Sequence, residues 1–508
     1  ELKSVLLQET PWVLESKNEE DQHRNLAMLM DMARMHDELQ SILNKLEAMQ
    51  SAGGGFPWFK EGPDDRYITQ YILTGIGHLK KLGAIPEDMA IKINQLVRHA
   101  MAWVDKKLLD DYEASLKKKN ITNEEPSITA IHIQWLYLRT FFPEISIPAA
   151  NIRAYEFYSS KAVKQWLEQS RFMQGMIAIF LGRKGELKIA KQILASLKEN
   201  AIYNEEMGMY WKDMQSGYYW YQSPLETVSL LIEAFGEIDQ DTKSVNALKT
   251  WLLSQKQTQN WGTTRATADA CYALLVRGSD WLENNPRLRI NLGNMEIPTK
   301  TDKNSPGMGY FKESILPPFI KPDMGNIKVT LSPSPGEKKL SPSWGAVYWQ
   351  YFEDMEKVSA SDKKGNPLKI SRKIYLKKNT DQGPILQPIA ENGYLKTGDR
   401  VTVRIEIRSD RDMEYVHLKD LRASCMEPVN VLSGYKWQGG LGYYEAGLDA
   451  STSFFFNFLP KGSHVFEYDL YVSAAGTFTN GITTIQCMYA PEFGAHSEGL
   501  MINVQQPD

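Results

Sequence analysis

From residue 20 to about 280, apolar residues return every three or four positions, as in Leu73-x-x-Ile76-x-x-Leu79 and Val228-x-Leu230-Leu231-x-x-Ala234-Phe235. That spacing lines one face of an α-helix and predicts an all-α half. After Pro286 the period shortens to two. It is clearest in Val401-Thr402-Val403-Arg404-Ile405-Glu406-Ile407-Arg408, where β-branched and polar residues alternate and a strand buries one face. Residues 327–331, 466–472 and 485–489 alternate in the same way, and Pro460-Lys461-Gly462 and Asn392-Gly393 mark turns between strands. The strand spacing predicts an all-β, sandwich-like C-terminal region. The fold class is therefore multidomain α + β, a helical array followed by antiparallel β-sandwich domains.

Within the helical half a join recurs, in which a Gly-containing aromatic loop is followed by a threonine that opens an apolar helix. Gly54-Gly55-Phe56-Pro57-Trp58-Phe59 precedes Thr69; Gly217-Tyr218-Tyr219-Trp220-Tyr221 precedes Thr227; Asn260-Trp261-Gly262-Thr263-Thr264 precedes Thr267. A fourth helix carries Thr129 without the aromatic loop, and Phe172-Met173 begins a fifth unit running to Leu181. One helix pair per roughly 50 residues lies within the range of helical repeats and predicts hairpins stacked in a ring or arc.

Boundaries follow from composition. Between Asn294 and Ser343, Pro317-Pro318, Pro322, Pro333 and Pro335 and several glycines make a connector with little core of its own, and residues 360–367 are polar and turn-rich. The predicted division is 1–280 helical, 281–360 a short β segment with the connector, and 361–508 the final sandwich. At 508 residues, roughly two to four domains are expected. A net charge of −4 with scattered basic residues gives no nucleic-acid footprint. Lys117–Lys119 reads as the solvated end of a helix. No apolar run approaches the 18 or so residues of a membrane span, so this segment is not expected to insert in a membrane.

Candidate chemistry is sparse. Cys271, Cys425 and Cys487 are too widely spaced for a disulfide framework or a C-x-x-C zinc site, and the eight histidines show no ligand spacing, so neither metal nor cofactor is expected. Asp64-Asp65, Glu124-Glu125 and Glu205-Glu206 could supply acid and base for glycoside hydrolysis if a pair faced one cleft. Neighbouring residues point apart, however, and the first two pairs precede helices, where carboxylates meet the positive end of the macrodipole. The densest aromatic patch is Tyr210, Trp211, Tyr218, Tyr219, Trp220 and Tyr221. With Trp58 of the first repeat loop it forms a candidate surface for stacking on sugars, peptides or prenyl chains. The recurrence of loop aromatics in other repeats favours rings that pack the loop end of the array.

Several segments together resemble the bacterial α2-macroglobulin family. They are Gly54-Gly55-Phe56-x-Trp58-Phe59 with residues 66–73, Gln259-Asn260-Trp261-Gly262-Thr263-Thr264-x-Ala266-Thr267-Ala268, Leu395-Lys396-Thr397-Gly398-Asp399, Asp410-Arg411-Asp412-Met413-x-Tyr415-Val416, Leu459-Pro460-Lys461-Gly462 and Met488-Tyr489-Ala490-Pro491-Glu492. The resemblance implies a thioester-type α/α toroid at 1–280, the C-terminal portion of a CUB-like β domain at 281–360 and a macroglobulin-like sandwich at 361–508. It also implies a non-enzymatic inhibitor that traps endopeptidases after bait cleavage, with proteases as partners. The place would be the periplasm or cell surface, with anchoring through an upstream N-terminal lipid. The family's Cys–Gln thioester motif, C-x-E-Q, is not in this chain, so a thioester would lie upstream of Glu1 or be lost. Met488 and Tyr489 would shield it; strand-end core is the alternative. A carbohydrate-active enzyme or glycan-binding protein on an α/α toroid with β-sandwiches is the main rival. A terpene cyclase or prenyltransferase and an adhesion module are more distant ones.

Overall fold

The computed structural model describes residues 32–122, 127–204, 206–214, 216–258, 261–276, 287–297, 313–332, 347, 349, 353–361, 366–381, 383–389, 394–430 and 432–506. Two compact units are resolved, one of helices with a small sheet and one of β-strands.

The helical unit opens with α1 (Met32–Met49) and the two-stranded β1 (Phe56–Pro57) and β2 (Asp64–Asp65), followed by α2 (Arg66–Lys81), α3 (Glu87–Thr122), α4 (Ala130–Arg139), α5 (Ile152–Gln165), α6 (Arg171–Lys184) and α7 (Leu187–Glu199). After the hairpin of β3 (Ile202–Asn204) and β4 (Gly208–Tyr210) come α8 (Pro224–Ala234), α9 (Thr242–Thr258) and α10 (Thr264–Val276). Helix α2 packs on α4, α4 on α6, α6 on α8 and α8 on α10, while α3, α5 and α7 pack outside. The circle closes where Tyr272 of α10 stacks on His78 of α2, centroids 3.6 Å apart. Among the described residues this is an α/α toroid with five inner helices, and all five predicted units are inner helices.

The helix starts have local causes. Asp65 caps α2 by accepting from the Ile68 N–H at 2.8 Å, and Ser170 caps α6 through Met173. Thr129 caps α4 in a reciprocal arrangement with His132. The other repeat threonines do not open their helices. Thr69, Thr227 and Thr267 lie one turn inside, and each hydroxyl donates to the carbonyl four residues back, on Asp65, Ser223 and Thr263. Thr69 also accepts from the Phe56 N–H, tying the aromatic loop to the helix it precedes.

After α10, β5 (Arg287–Leu292), β6 (Met295–Ile297) and β7 (Ile327–Ser332) form a small antiparallel sheet in the order β6-β5-β7. The predicted strand at 327–331 is β7. The Glu124-Glu125 pair and the Asn392-Gly393 turn lie outside the described residues.

The β unit is a sandwich. One sheet orders β13 (Met426–Pro428), β17 (Gly462–Val472), β11 (Arg400–Ser409), β8 (Leu368–Thr380) and β9 (Gly383–Pro388). The other orders β14 (Gly434–Gln438), β15 (Leu441–Gly447), β16 (Ser451–Leu459), β12 (Met413–Leu421), β19 (Thr483–Cys487) and β20 (Ala490–His496). A third, small sheet joins β10 (Tyr394–Lys396), β21 (Met501–Gln505) and β18 (Gly476–Thr479). Val401, Val403, Ile405 and Ile407 of β11 face the core, where they meet Leu418, Phe454, Phe456 and Phe466. The period-two reading of β11 therefore holds.

Candidate functional site

All five inner helices contribute to the axis of the ring. Towards their C-terminal ends the axis is plugged. Glu233 of α8, 1% exposed, accepts from Tyr137 Oη and Tyr272 Oη at 2.7 Å each, from Arg183 at 2.6 Å and from Lys81 at 2.8 Å. Burial pushes this carboxyl up, but Arg183, Lys81 and His78 outweigh it and hold it at about 2. Glu237, one turn on, also binds Arg183 and Lys81. With the Tyr137 proton committed to Glu233, His78 Nε2–H is the donor in its 3.0 Å contact with the Tyr137 oxygen. Burial lowers the His78 pKa to about 4, so the ring is neutral. The cavity left along the axis is about 30 Å³, room for little more than a water molecule. That volume does not admit a prenyl chain.

The other end is aromatic. Trp58, in the loop before α2, lies 6.1 Å from Tyr67; Tyr67 lies 4.9 Å from Trp220, and Trp220 is 5.6 Å from Tyr221. The ladder continues outward from Tyr221 to Tyr219 at 5.4 Å, with planes 3° from parallel, and on to Tyr218 at 5.6 Å. At its foot the Arg265 guanidinium lies within 6.0 Å of the rings of Tyr67, Tyr71, Phe172 and Trp220 and donates to the Trp220 carbonyl at 2.8 Å. Arg265 Nε stands 3.8 Å from Glu226 and 3.7 Å from Asp269. Burial pushes the Asp269 carboxyl up to about 7, with Arg265 opposing and Glu226 adding to the rise.

The sequence-predicted aromatic set divides. Trp211 is core, its indole N–H donating to the Leu197 carbonyl at 2.9 Å, and Tyr210 is half-buried in β4. Trp220 and Tyr221 are half-buried at the mouth, whereas Tyr218, Tyr219 and Trp58 are exposed. Sequence reading did not single out Arg265, Glu226, Glu233, Asp269, His78 or Tyr272. The available signal was a charged residue on the apolar face of a helix, Glu233 inside 228–235 and Arg265 inside 264–268. Asp65 acts as a cap, as its position before α2 implies.

In the β unit, Cys487 pairs with Ala490, so Met488 and Tyr489 form the two-residue tip of the β19–β20 hairpin. Both side chains are exposed. The Met488 N–H donates to the Tyr415 carbonyl at 2.9 Å, and the Tyr415 and Tyr489 rings meet edge to face at 5.2 Å. Tyr415 has φ +56°, a left-handed conformation uncommon for a bulky residue and often found at functional positions. Inside the sandwich, Arg372 is fully buried and donates to Asp420 Oδ1 at 2.9 Å and to the carbonyls of Leu421, Asn480, Gly481 and Glu498. Cys271 is exposed and Cys425 and Cys487 are buried, and no disulfide joins them.

The fold thus defines a multidomain protein of the toroid-plus-sandwich class. Residues 368–492, from the first residue of β8 into β20, match the family model of the Bacterial Alpha-2-macroglobulin MG10 domain. Over these residues the final sandwich is similar to the MG10 domain of bacterial alpha-2-macroglobulins. Among solved structures, it is similar to Escherichia coli alpha-2-macroglobulin activated by porcine elastase, at 14% identity and TM-score 0.38, covering 92% of this chain and 38% of that one. Native E. coli alpha-2-macroglobulin from domain MG7 to the C-terminus gives 13% identity and TM-score 0.31, covering 92% and 67%. Salmonella alpha-2-macroglobulin reacted with methylamine gives 15% and 0.31, covering 91% and 27%. The chain spans only 38% and 29% of the first two E. coli structures it matches. No curated protein matches it.

Proposed function

We propose that this chain is the C-terminal part of a protease inhibitor that traps endopeptidases after a bait segment elsewhere in the protein is cut. The MG10 match over 368–492 is the observation that carries this reading. In it the chain performs no catalysis. Its partners are proteases met through the whole protein, in the periplasm or at the cell surface, with a lipid anchor upstream.

The hairpin tip is the element we assign to the reactive centre. Met488 and Tyr489 project an apolar pair held by the Tyr415 contacts. Such a pair covers a thioester by excluding water, the nucleophile that would hydrolyse it. This chain has no C-x-E-Q sequence, so the thioester it covers would be carried upstream. On bait cleavage an amine of the protease would attack the acyl carbon and displace the cysteine thiolate, leaving an amide.

The test is a denaturing gel of the full-length protein after incubation with a general endopeptidase, with and without methylamine pretreatment. A protease adduct abolished by methylamine, and absent in the Met488→Ala/Tyr489→Gly variant because its thioester hydrolyses before protease is added, supports the assignment. A methylamine-insensitive product identical in wild type and variant removes the shielding role.

A further inference from the structure

We propose that the aromatic mouth of the helical ring is a binding platform for a neutral oligosaccharide, an activity separate from protease trapping. The first ground is exposure. Tyr218 is 96% exposed, Phe59 74%, Tyr219 55% and Trp58 54%. Contiguous rings left in water contribute little to folding and mark interaction surfaces.

The second ground is that the rings are held. Gln222 closes the loop. Its N–H donates to the Tyr219 carbonyl at 2.8 Å, its carbonyl accepts from Gly217 N–H at 3.0 Å and its side-chain oxygen accepts from Tyr219 N–H at 3.0 Å. A Cβ on Gly217 would lie 2.3 Å from that side-chain oxygen, so a larger residue before the tyrosines would displace the Gln222 side chain. Arg265 and Ser223 both donate to the Trp220 carbonyl, fixing the next residue. A platform ordered before binding loses little entropy when it binds.

The third ground identifies the ligand. Asp269 and Arg265 are each 17% exposed at the foot of the ladder, 3.7 Å apart, so a carboxylate and a guanidinium edge stand beside the rings. A partly exposed carboxylate and guanidinium next to flat rings suit a molecule with apolar faces and a rim of hydroxyls, which both donate and accept. A sugar ring has that character. A proline-rich peptide would use the rings but bring few donors for the carboxylates. An anionic ligand would meet the carboxylates of Glu226 and Asp269, against the single cation of Arg265, at the foot of the ladder.

The experiment is calorimetric titration of the intact chain with cellohexaose and with chitohexaose, beside a proline-rich hexapeptide. At least one hexasaccharide is expected to bind saturably, and Tyr218→Ala/Tyr219→Ala to weaken it by about tenfold with an unchanged far-UV spectrum. The Gln222→Ala variant, which keeps every ring, is expected to weaken it as well. No saturable binding of either sugar at millimolar concentration, binding indifferent to the two tyrosines, or preference for the peptide overturns the proposal. No protease is involved, so the result is independent of the trapping experiment.

Discussion

The imidazole of His78 lies flat against the phenol of Tyr272, centroids 3.6 Å apart and planes 6° from parallel. This contact joins the first inner helix to the last. His78 is half-buried and neutral, with its pKa lowered to about 4 from the ordinary 6.5. The unfolded chain therefore binds more protons than the native one between these values, and the stability from this residue, complete above pH 6.5, is lost as pH falls towards 4. Denaturant melts of wild type and His78→Gln should differ by about 3 kcal/mol less at pH 4 than at pH 7.5. A gap that does not change with pH would remove His78 as the source.

Asp269 carries the opposite sign. Its carboxyl is raised to about 7, so the native state binds more protons than the unfolded one, and stability is lost as pH rises from about 4 to 7. Asp269→Asn should be more stable than wild type at pH 8, by about 1–3 kcal/mol, and equal to it near pH 4. Thermal unfolding at the two pH values reads this directly.

Glu233 accepts from four side chains on α2, α4, α6 and α10. Glu233→Gln leaves Arg183 and Lys81 with only Glu237 as their acidic partner in the cluster and should destabilise the toroid by about 3–5 kcal/mol, the usual cost of breaking a buried ion cluster from one side. Urea denaturation followed by tryptophan fluorescence would show it as a lower midpoint.

Arg372 and Asp420 make the corresponding test in the sandwich. Arg372→Ala strands Asp420 and the carbonyls it binds, and about 3–5 kcal/mol should be lost. Arg372→Met with Asp420→Leu should recover part of that, and a double-mutant cycle would give a coupling of about 1–3 kcal/mol.

The elements were legible where one period held. The alternation at 401–408 gives β11 with its buried face, and the five threonine or apolar starts give five inner helices, because burial of one face imposes the period. Thr129 does cap its helix, but Thr69, Thr227 and Thr267 lie one turn inside theirs, since their hydroxyls bond backward to the preceding turn; at α2 the cap is Asp65. The site was less legible. Glu233 and Arg265 are charges within apolar helix faces, and only ring closure brings them to partners far away in sequence. The split of the aromatic run into core Trp211 and exposed Tyr218 depends on the Gln222 loop geometry, which no period encodes.

The central claim is that this chain completes a protease trap. The most direct measurement is to incubate the full-length protein with a general endopeptidase and assay the mixture on a small chromogenic peptide and on a large protein substrate. Trapping predicts that cleavage of the peptide persists while cleavage of the large substrate falls, because the enclosed protease keeps a working active site that large molecules cannot reach. Equal retention of both activities, or equal loss of both, would contradict it.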